Sequence, residues 1–395
     1  MPASTGNNDA RPPAVGLFAG IGGIELGLER AGFATSLLCE YDSAATAVLR
    51  KRFPESGHHS DIRTLEELPP ARVVSAGFPC QDLSQAGRTA GISGSQSSLV
   101  EHVFRLLDGA ADPPEWLLLE NVPFMLSLER GGAMSYLVEQ LAARGWRWAY
   151  RVVDTRAFGL PHRRLRVILL ASKESDPRSA LFGQSFQPSE IDFAPGAWCG
   201  FYWTEGLRGL GWAVEAVPTL KSGSTVGIPS PPGVWNSATN EIGTPDIRDI
   251  ERLQGLPMNW TLPAVDDPDR RNGPRWRLVG NAVSTPVARW VGKSLLSDLG
   301  SWDGTSSRLE TGSWPGAAWG DSTGAYMVEC VTTWPKALSY QPLSEFLSFD
   351  LHPLSHRAAS GFLSRTYKGS LKTFVPGFRK AVAAHVAVTA QPQVA

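Results

Sequence analysis

The chain is poor in cysteine, has no long apolar run and carries almost no net charge. Its 395 residues include four cysteines, Cys39, Cys80, Cys199 and Cys330, scattered without redox-pair or metal-ligand spacing. Neither a disulfide framework nor a metal site is therefore expected, and a reducing cytoplasm suits the composition. No hydrophobic stretch approaches membrane-spanning length, so no membrane partner is expected, and residues 1–13 lack a signal-peptide pattern and read as a short disordered lead-in. A formal net charge of −1 argues against a protein coated in nucleic acid but leaves room for local basic clefts. Such clusters occur at Arg147, Arg151, Arg156, Arg163, Arg164 and Arg166, and again at Arg270, Arg271, Arg275 and Arg277. No acidic residue follows Asp350, whereas Arg357, Arg365, Lys368, Lys372, Arg379 and Lys380 do. Each cluster suits a solvated surface as well as it suits phosphate. No internal repeat is visible.

What is present is an alternation of strand and helix. Apolar runs at 15–18, 35–39, 73–76, 116–119, 147–154 and 166–171 read as strands. Residues 24–31, 43–52, 99–107 and 134–144 read as helices between them. The pattern implies an α/β fold with a mainly parallel sheet and helices on both faces. Near Lys173 the character changes: residues 173–245 are rich in Gly, Pro, Ser and Trp, with little periodicity. Helical signals return at 248–256 and 286–299, residues 301–340 read as irregular, and helices are expected at 355–367 and 377–388.

Two local settings carry chemistry. The first is the turn Phe18-Ala19-Gly20-Ile21-Gly22-Gly23 between a strand and a helix. Glycines there allow a tight turn and close approach of a ligand at the positive end of the helix. Glu40 follows at the end of the next strand, where a carboxylate can accept from both hydroxyls of a ribose, and Asp61-Ile62 offers an acceptor for an adenine amino group. A nucleoside-containing cofactor is the expectation, although glycines alone do not separate NAD from S-adenosylmethionine. The second setting is Gly77-Phe78-Pro79-Cys80-Gln81, at the tip of an apolar strand and ahead of a glycine- and serine-rich stretch at 84–98. A cysteine there can present a thiolate to a substrate, or can simply be a core thiol.

The ordered set formed by these two segments with Glu120-Asn121-Val122, His162-Arg163-Arg164-Leu165-Arg166, Arg252-Leu253-Gln254-Gly255-Leu256-Pro257 and Gly280-Asn281-Ala282-Val283 resembles the DNA (cytosine-5)-methyltransferases. The resemblance spans residues 15–172 and 246–297. It implies a Rossmann-like S-adenosylmethionine-dependent domain at 14–172, a smaller, loop-rich target-recognition domain at 173–245, and a return segment at 246–299 that completes the cofactor site. Residues 300–395 form an extension without an assigned role. The cofactor residues it implies are Phe18, Ala19, Gly20, Ile21, Gly23, Glu40, Tyr41, Asp61, Ile62, Gly77, Pro79, Leu99, Asn281 and Val283. The implied catalytic residues are Cys80, Glu120, Arg164 and Arg166. Gln81, Ser84, Thr219 and Leu220 are the implied DNA contacts, the last two through a dipeptide common in such recognition domains.

The chemistry these residues would support is methylation of cytosine at C5. That carbon is a poor nucleophile until a thiolate, here Cys80, adds at C6. Glu120 would bond or protonate N3, a role that calls for a proton held near neutrality. Arg164 and Arg166 would bind O2 and position the thiolate or Glu120. The base must leave the duplex to react, and residues 81–98, with Gly87, Gly91 and Gly94, would close as a lid. Three departures stand out: His162 where the family usually has Gln, Gln96 where it often has Arg, and an irregular stretch before Arg248-Asp249. Alternatives are an RNA cytosine-5 methyltransferase and a non-catalytic DNA-binding protein, whereas an NAD oxidoreductase leaves Pro79-Cys80 and Asn281 unexplained. The implied partners are duplex DNA, bound by a monomer in the cytoplasm, with a cognate restriction nuclease or phage-defence proteins as candidate companions.

Overall fold

A strand covered by helices on both faces must be apolar at nearly every position. Residues 73–76 and 116–121 meet that condition, are buried throughout, and lie within a ten-stranded sheet. The computed structural model describes residues 11–78, 99–188, 191–223, 230–265, 273–298, 300–310, 313–370 and 374–390. In chain order the first elements are β1 (Pro13–Leu17), α1 (Gly23–Ala31), β2 (Ala34–Cys39), α2 (Ser43–Arg52), β3 (Gly57–His59), β4 (Val73–Ala76), α3 (Leu99–Asp108) and β5 (Trp116–Asn121). Strands β3, β2, β1, β4 and β5 lie side by side in that order, all parallel. Next come α4 (Gly132–Ala143), β6 (Arg147–Asp154), β7 (His162–Arg163) and β8 (Leu165–Ser172). Strand β8 pairs antiparallel with β5 on one side and β6 on the other.

The remainder contributes α5 (Pro177–Phe182), β9 (Trp198–Phe201), β10 (Ala213–Val214), β11 (Val217–Pro218), β12 (Gly233–Asn236), β13 (Ile242–Thr244), α6 (Ile247–Arg252), α7 (Gly273–Asn281) and α8 (Thr285–Leu295). Then follow β14 (Ser306–Arg308), β15 (Ala317–Asp321), β16 (Gly324–Val328), α9 (Leu343–Phe346), β17 (His352–Pro353), α10 (His356–Lys368) and α11 (Phe378–Thr389). Strand alternation sorts the core into two layers. Leu117 and Leu119 face α3 and α4 and pack with Phe104, Leu107, Leu137 and Leu141. Trp116 and Leu118 face the opposite layer, with Leu28 of α1 and Val287 and Val291 of α8. Helices α1 and α8 touch closely because Gly27 has no side chain; a Cβ there would lie 2.5 Å from that of Ala288.

The α/β class with a parallel core matches the expectation, and the sheet is larger than expected. The described part of residues 301–340 holds three strands that were not expected: β15 pairs antiparallel with β6, and β16 and β14 follow outward. Their short, Ala- and Gly-containing segments lack a run of β-branched residues; they pair locally with one another, and only the docking of β15 on β6 is long-range. Gly320 matters here, because a Cβ on it would lie 2.5 Å from the Trp148 ring. Beyond Lys173, α5 still packs Ala180, Leu181 and Phe182 into the large sheet's core.

A second, antiparallel sheet has the order β10-β9-β12-β13-β17. Helices α10 and α11 cover it with an aromatic core in which Phe201 lies 5.2 Å from Phe362 and 5.0 Å from Phe378, ring centre to ring centre. The described residues beyond 300 are thus divided between both sheets, and the second unit joins a segment of 173–245 to strand β17 and the two last helices. Among the described residues no helix is long and apolar enough to cross a membrane.

Candidate active site

Ligands of open α/β sheets bind beyond the carboxyl ends of the strands. There, β1, β2, β4 and β5 open into a cleft of about 480 Å³. Its walls include Phe18, Ala19, Gly20, Ile21, Gly23, Glu40, Tyr41, Gly77, Leu99, Asn281 and Val283. A neighbouring cavity of about 330 Å³ shares Phe18, Glu40, Tyr41 and Leu99 and adds Asp61 and Ile62. The structure therefore gathers every described cofactor candidate into one place. Pro79, Cys80, Gln81 and Ser84, with Gln96 and the expected lid, lie outside the described residues.

The glycine turn earns its glycines. Phe18, Gly20 and Gly22 have φ of 54°, 56° and 78°, in the left-handed region that favours glycine. Above Gly20 a Cβ would meet nothing within 4 Å, so the backbone is open to a ligand. The Gly20 and Asp42 amides donate to Oε2 and Oε1 of Glu40, both at 2.8 Å. A carboxylate has about four acceptor sites, so lone pairs remain for ribose hydroxyls. Burial raises the Glu40 pKa, and the two backbone hydrogen bonds oppose that rise. Asp61 is engaged already: Arg63 Nη2 lies 2.6 Å from its Oδ2 and holds its pKa below the usual carboxylate range. An adenine amino group at Asp61 would share it with Arg63.

At the other end of the cleft, Arg166 Nε sits 2.8 Å from Glu120 Oε1, both side chains about nine-tenths buried. Strand alternation turns Arg164 and Arg166 inward and leaves Leu165 39% exposed. Asn121 Nδ2 donates to the Phe78 carbonyl at 3.0 Å and so pins the backbone immediately before Pro79-Cys80 beside Glu120. The two arginines differ. Arg164 is fully buried and donates to the carbonyls of Leu220 and Gly280, each at 3.3 Å, and of Ala282 at 2.6 Å. It ties three segments together, and Arg166 is the one paired with Glu120.

The expected DNA contacts Thr219 and Leu220 occupy that same junction. Strand β11 pairs in parallel with β7, the Thr219 hydroxyl donates to Arg163 O at 2.9 Å, and Tyr202 donates to Thr219 O. Leu220 is only 4% exposed, so its side chain belongs to the core and not to a DNA-facing surface. His162 explains the departure from Gln. Its Nδ1 faces the Leu253 carbonyl at 3.0 Å and its Nε2 accepts from Leu220 N at 3.1 Å. One donor and one acceptor are what a Gln amide also offers, and complete burial holds the imidazole pKa well below its ordinary value.

Two residues outside the expected site list also shape the cleft. Trp260 donates its indole N–H to Ile21 O at 2.8 Å, and Arg52 lies 5.0 Å from its ring. Gln254 Nε2 donates to Val279 O and Ala282 O, holding the loop that carries Asn281. Several arginines of the basic clusters serve the interior. Arg151 donates to three backbone carbonyls, Arg156 pairs with Asp154, and Arg275 pairs with Glu251. Arg365 donates to Glu205 O and Trp203 O, and Arg379 lies over Phe374. Among the described residues no group of His, Cys, Asp and Glu is placed to hold a metal ion.

A family model for C-5 cytosine-specific DNA methylases matches residues 14–193. Type II methyltransferase M2.BsuMI of Bacillus subtilis (strain 168) is 51% identical over 359 residues, covering 89% of this chain and 92% of that protein. M.BsuFI of Bacillus subtilis is 34% identical over 158 residues, 40% of this chain and 38% of its own length. M.NgoBV of Neisseria gonorrhoeae is 32% identical over 178 residues, 41% of this chain and 42% of its own length. Among solved structures, the S. pombe Dnmt2 methyltransferase superposes with a TM-score of 0.51 at 16% identity, covering 72% of this chain and 98% of that one. The Entamoeba histolytica methyltransferase EhMeth does so at 0.51 and 14%, covering 74% and 99%. At such identities the two structures speak for the fold alone. The matched family and the relative spanning most of the chain, on a sheet whose carboxyl ends join the glycine turn to the Glu120–Arg166 pair, place this protein in the C-5 cytosine-specific DNA methylase family, as a DNA (cytosine-5-)-methyltransferase.

Proposed function

We propose that the enzyme transfers a methyl group from S-adenosylmethionine to C5 of a cytosine flipped out of a specific duplex DNA sequence, through a covalent bond between Cys80 and C6. The observation that carries this reading is a single cleft. It is lined by the Phe18–Gly23 turn, Glu40, the Glu120–Arg166 ion pair and the Gly280-Asn281-Ala282-Val283 loop. The donor supplies an electrophilic methyl on a sulfonium sulfur and departs as S-adenosylhomocysteine. Glu40, the open backbone at Gly20, Asp61 and Ile62 would hold its nucleoside, with Asn281 and Val283 on the facing wall.

The reacting base would sit between Cys80 and Glu120. Addition of the Cys80 thiolate at C6 pushes electron density through the ring toward C5, and Glu120 holds N3 and supplies its proton. Arg166, fixed by Glu120, is aimed at the side of the ring that bears O2, where preorganised positive charge stabilises the adduct. Once C5 has taken the methyl, water takes the C5 proton, Cys80 departs as the thiolate and N3 returns its proton to Glu120, which restores the neutral aromatic ring. Extruding the base costs a few kcal/mol, which the recognition contacts must offset.

The second sheet, with helices α10 and α11, is proposed as the target-recognition unit. Thr219 and Leu220 anchor it to the catalytic sheet more than they read DNA. The relatives named Type II methyltransferases support a place in restriction and modification beside a nuclease of the same specificity, acting on cytoplasmic DNA. The test uses duplex DNA containing 5-fluorocytosine, whose C5 cannot lose a proton. With S-adenosylmethionine, the wild type should form a denaturant-stable adduct and Cys80→Ala none. An adduct that persisted in Cys80→Ala would overturn the nucleophile, and an adduct with RNA but not DNA would move the substrate to RNA.

A further inference from the structure

Among the described residues three arginines line the cleft, and two are held by neighbours: Arg164 by backbone carbonyls and Arg166 by Glu120. The third, Arg277, projects from α7, the helix that ends in Gly280 and Asn281 on one wall. Its Nη2 crosses to Oδ2 of Asp42 at 2.8 Å, with the two side chains 43% and 33% exposed. Asp42 belongs to the opposite wall and caps α2: its Oδ1 accepts from Ala45 N at 2.9 Å, which fixes the carboxylate and leaves Oδ2 aimed at Arg277. Its own amide donates to Glu40 Oε1, and Glu40 Oε2 takes the Gly20 amide. One connected chain therefore runs from Arg277 through Asp42 and Glu40 to the glycine turn.

We propose that Arg277 and Asp42 form a clasp across the cofactor cleft, with Arg277 a positioning residue that holds Glu40 and the return-segment wall around the methyl donor. This rests on the cleft being the S-adenosylmethionine site. The two residues sit on walls contributed by opposite ends of the catalytic domain's sequence, and the pair is the direct side-chain ion pair between those walls among the described residues that line the cleft. A nucleoside between the walls is enclosed while the pair is made and released when it opens. An exposed pair contributes little to folding, so its loss leaves the protein folded and acts on residence time.

The experiment measures S-adenosylmethionine dissociation by stopped flow and its Kd by calorimetry for full-length wild type, Arg277→Gln, Asp42→Asn and the double variant. Asn caps a helix about as well as Asp, so Asp42→Asn removes charge and keeps α2. Each single variant should raise Kd about fivefold to tenfold, chiefly through faster release. The double variant should be no worse than either single, because both remove one interaction. KM for S-adenosylmethionine should rise while kcat at saturating donor moves by less than about twofold, the signature of lost ground-state binding. Added salt should speed release from the wild type and leave Arg277→Gln unaffected. Wild-type release from Arg277→Gln, or multiplied effects in the double variant, would overturn the clasp alone. A wild type that bound no S-adenosylmethionine would instead overturn the cofactor reading on which it rests.

Discussion

The parallel half of the large sheet and the small antiparallel sheet are built in opposite ways. In the first, strands β1, β2, β4 and β5 are covered by helices on both faces and follow one another closely in the chain. Their carboxyl ends deliver Phe18, Glu40, Gly77 and Glu120 to one rim without any distant segment having to arrive. The small sheet is made of strands of two to four residues, and its last strand and both covering helices come from beyond residue 350. Aromatic rings, not aliphatic runs, fill its core. The difference teaches where precision and variation are kept. The candidate reacting group Glu120 stands on a strand end with locked neighbours, whereas the unit proposed to read DNA is joined to that frame by hydrogen bonds through His162, Arg164 and Thr219 and by an apolar cluster that includes Val217 and Val234.

The comparison breaks most decisively if the C-terminal region is dispensable. Ending the chain at Gly300 removes β15 from the edge of β6 and strips α10 and α11 from the aromatic face of β9 and β12. The expected outcome is insoluble protein or loss of a cooperative thermal transition; a soluble 1–300 fragment with native-like circular dichroism would show that neither unit needs the tail. A finer cut is Phe378→Ala, in the middle of the small unit's core. Removing a buried Phe costs about 3–5 kcal/mol, and here the loss should fall on DNA binding before S-adenosylmethionine binding. Calorimetry of the donor beside a DNA mobility assay checks this, and equal loss of both would mean that the two units unfold as one.

The smallest expected effect lies at the link itself. His162→Gln should change stability at pH 8 by less than about 1 kcal/mol, since the amide can reproduce the donor and the acceptor. Its consequence is in the pH dependence. The folded imidazole resists protonation, while the unfolded one takes a proton near its ordinary value of about 6.5. Below that pH the unfolded state binds more protons, so wild-type stability falls as the medium is acidified, by up to about 1.4 kcal/mol per pH unit from this group. Urea titrations between pH 5 and 8 should show a flatter profile in His162→Gln, and parallel profiles would sink the assignment.

Much of the site was legible before the fold. The glycine turn, Glu40 and Glu120 reach the cleft because they stand at the carboxyl ends of β1, β2 and β5, and the Gly280–Val283 segment reaches it as the junction of α7 and α8. The errors are of one kind. Residues 301–340 lack strand patterning because β14, β15 and β16 are short and poor in β-branched residues, and the dipeptide at Thr219-Leu220 does not say which way its Leu side chain points. The arginine clusters looked like a basic surface, whereas Arg151, Arg156, Arg164 and Arg275 are buried on carbonyls and carboxylates.

Sequence alone determined the class of fold, the family resemblance and the reactive types, because strand periodicity, turn glycines and ordered motifs are short-range properties. Tertiary structure decided which arginine serves Glu120, what holds the glycine turn from behind, and how the chain's end completes two sheets. Those outcomes depend on which distant backbone carbonyl or carboxylate lies within about 3 Å of a given donor. That is a property of packing, and no spacing along the chain records it.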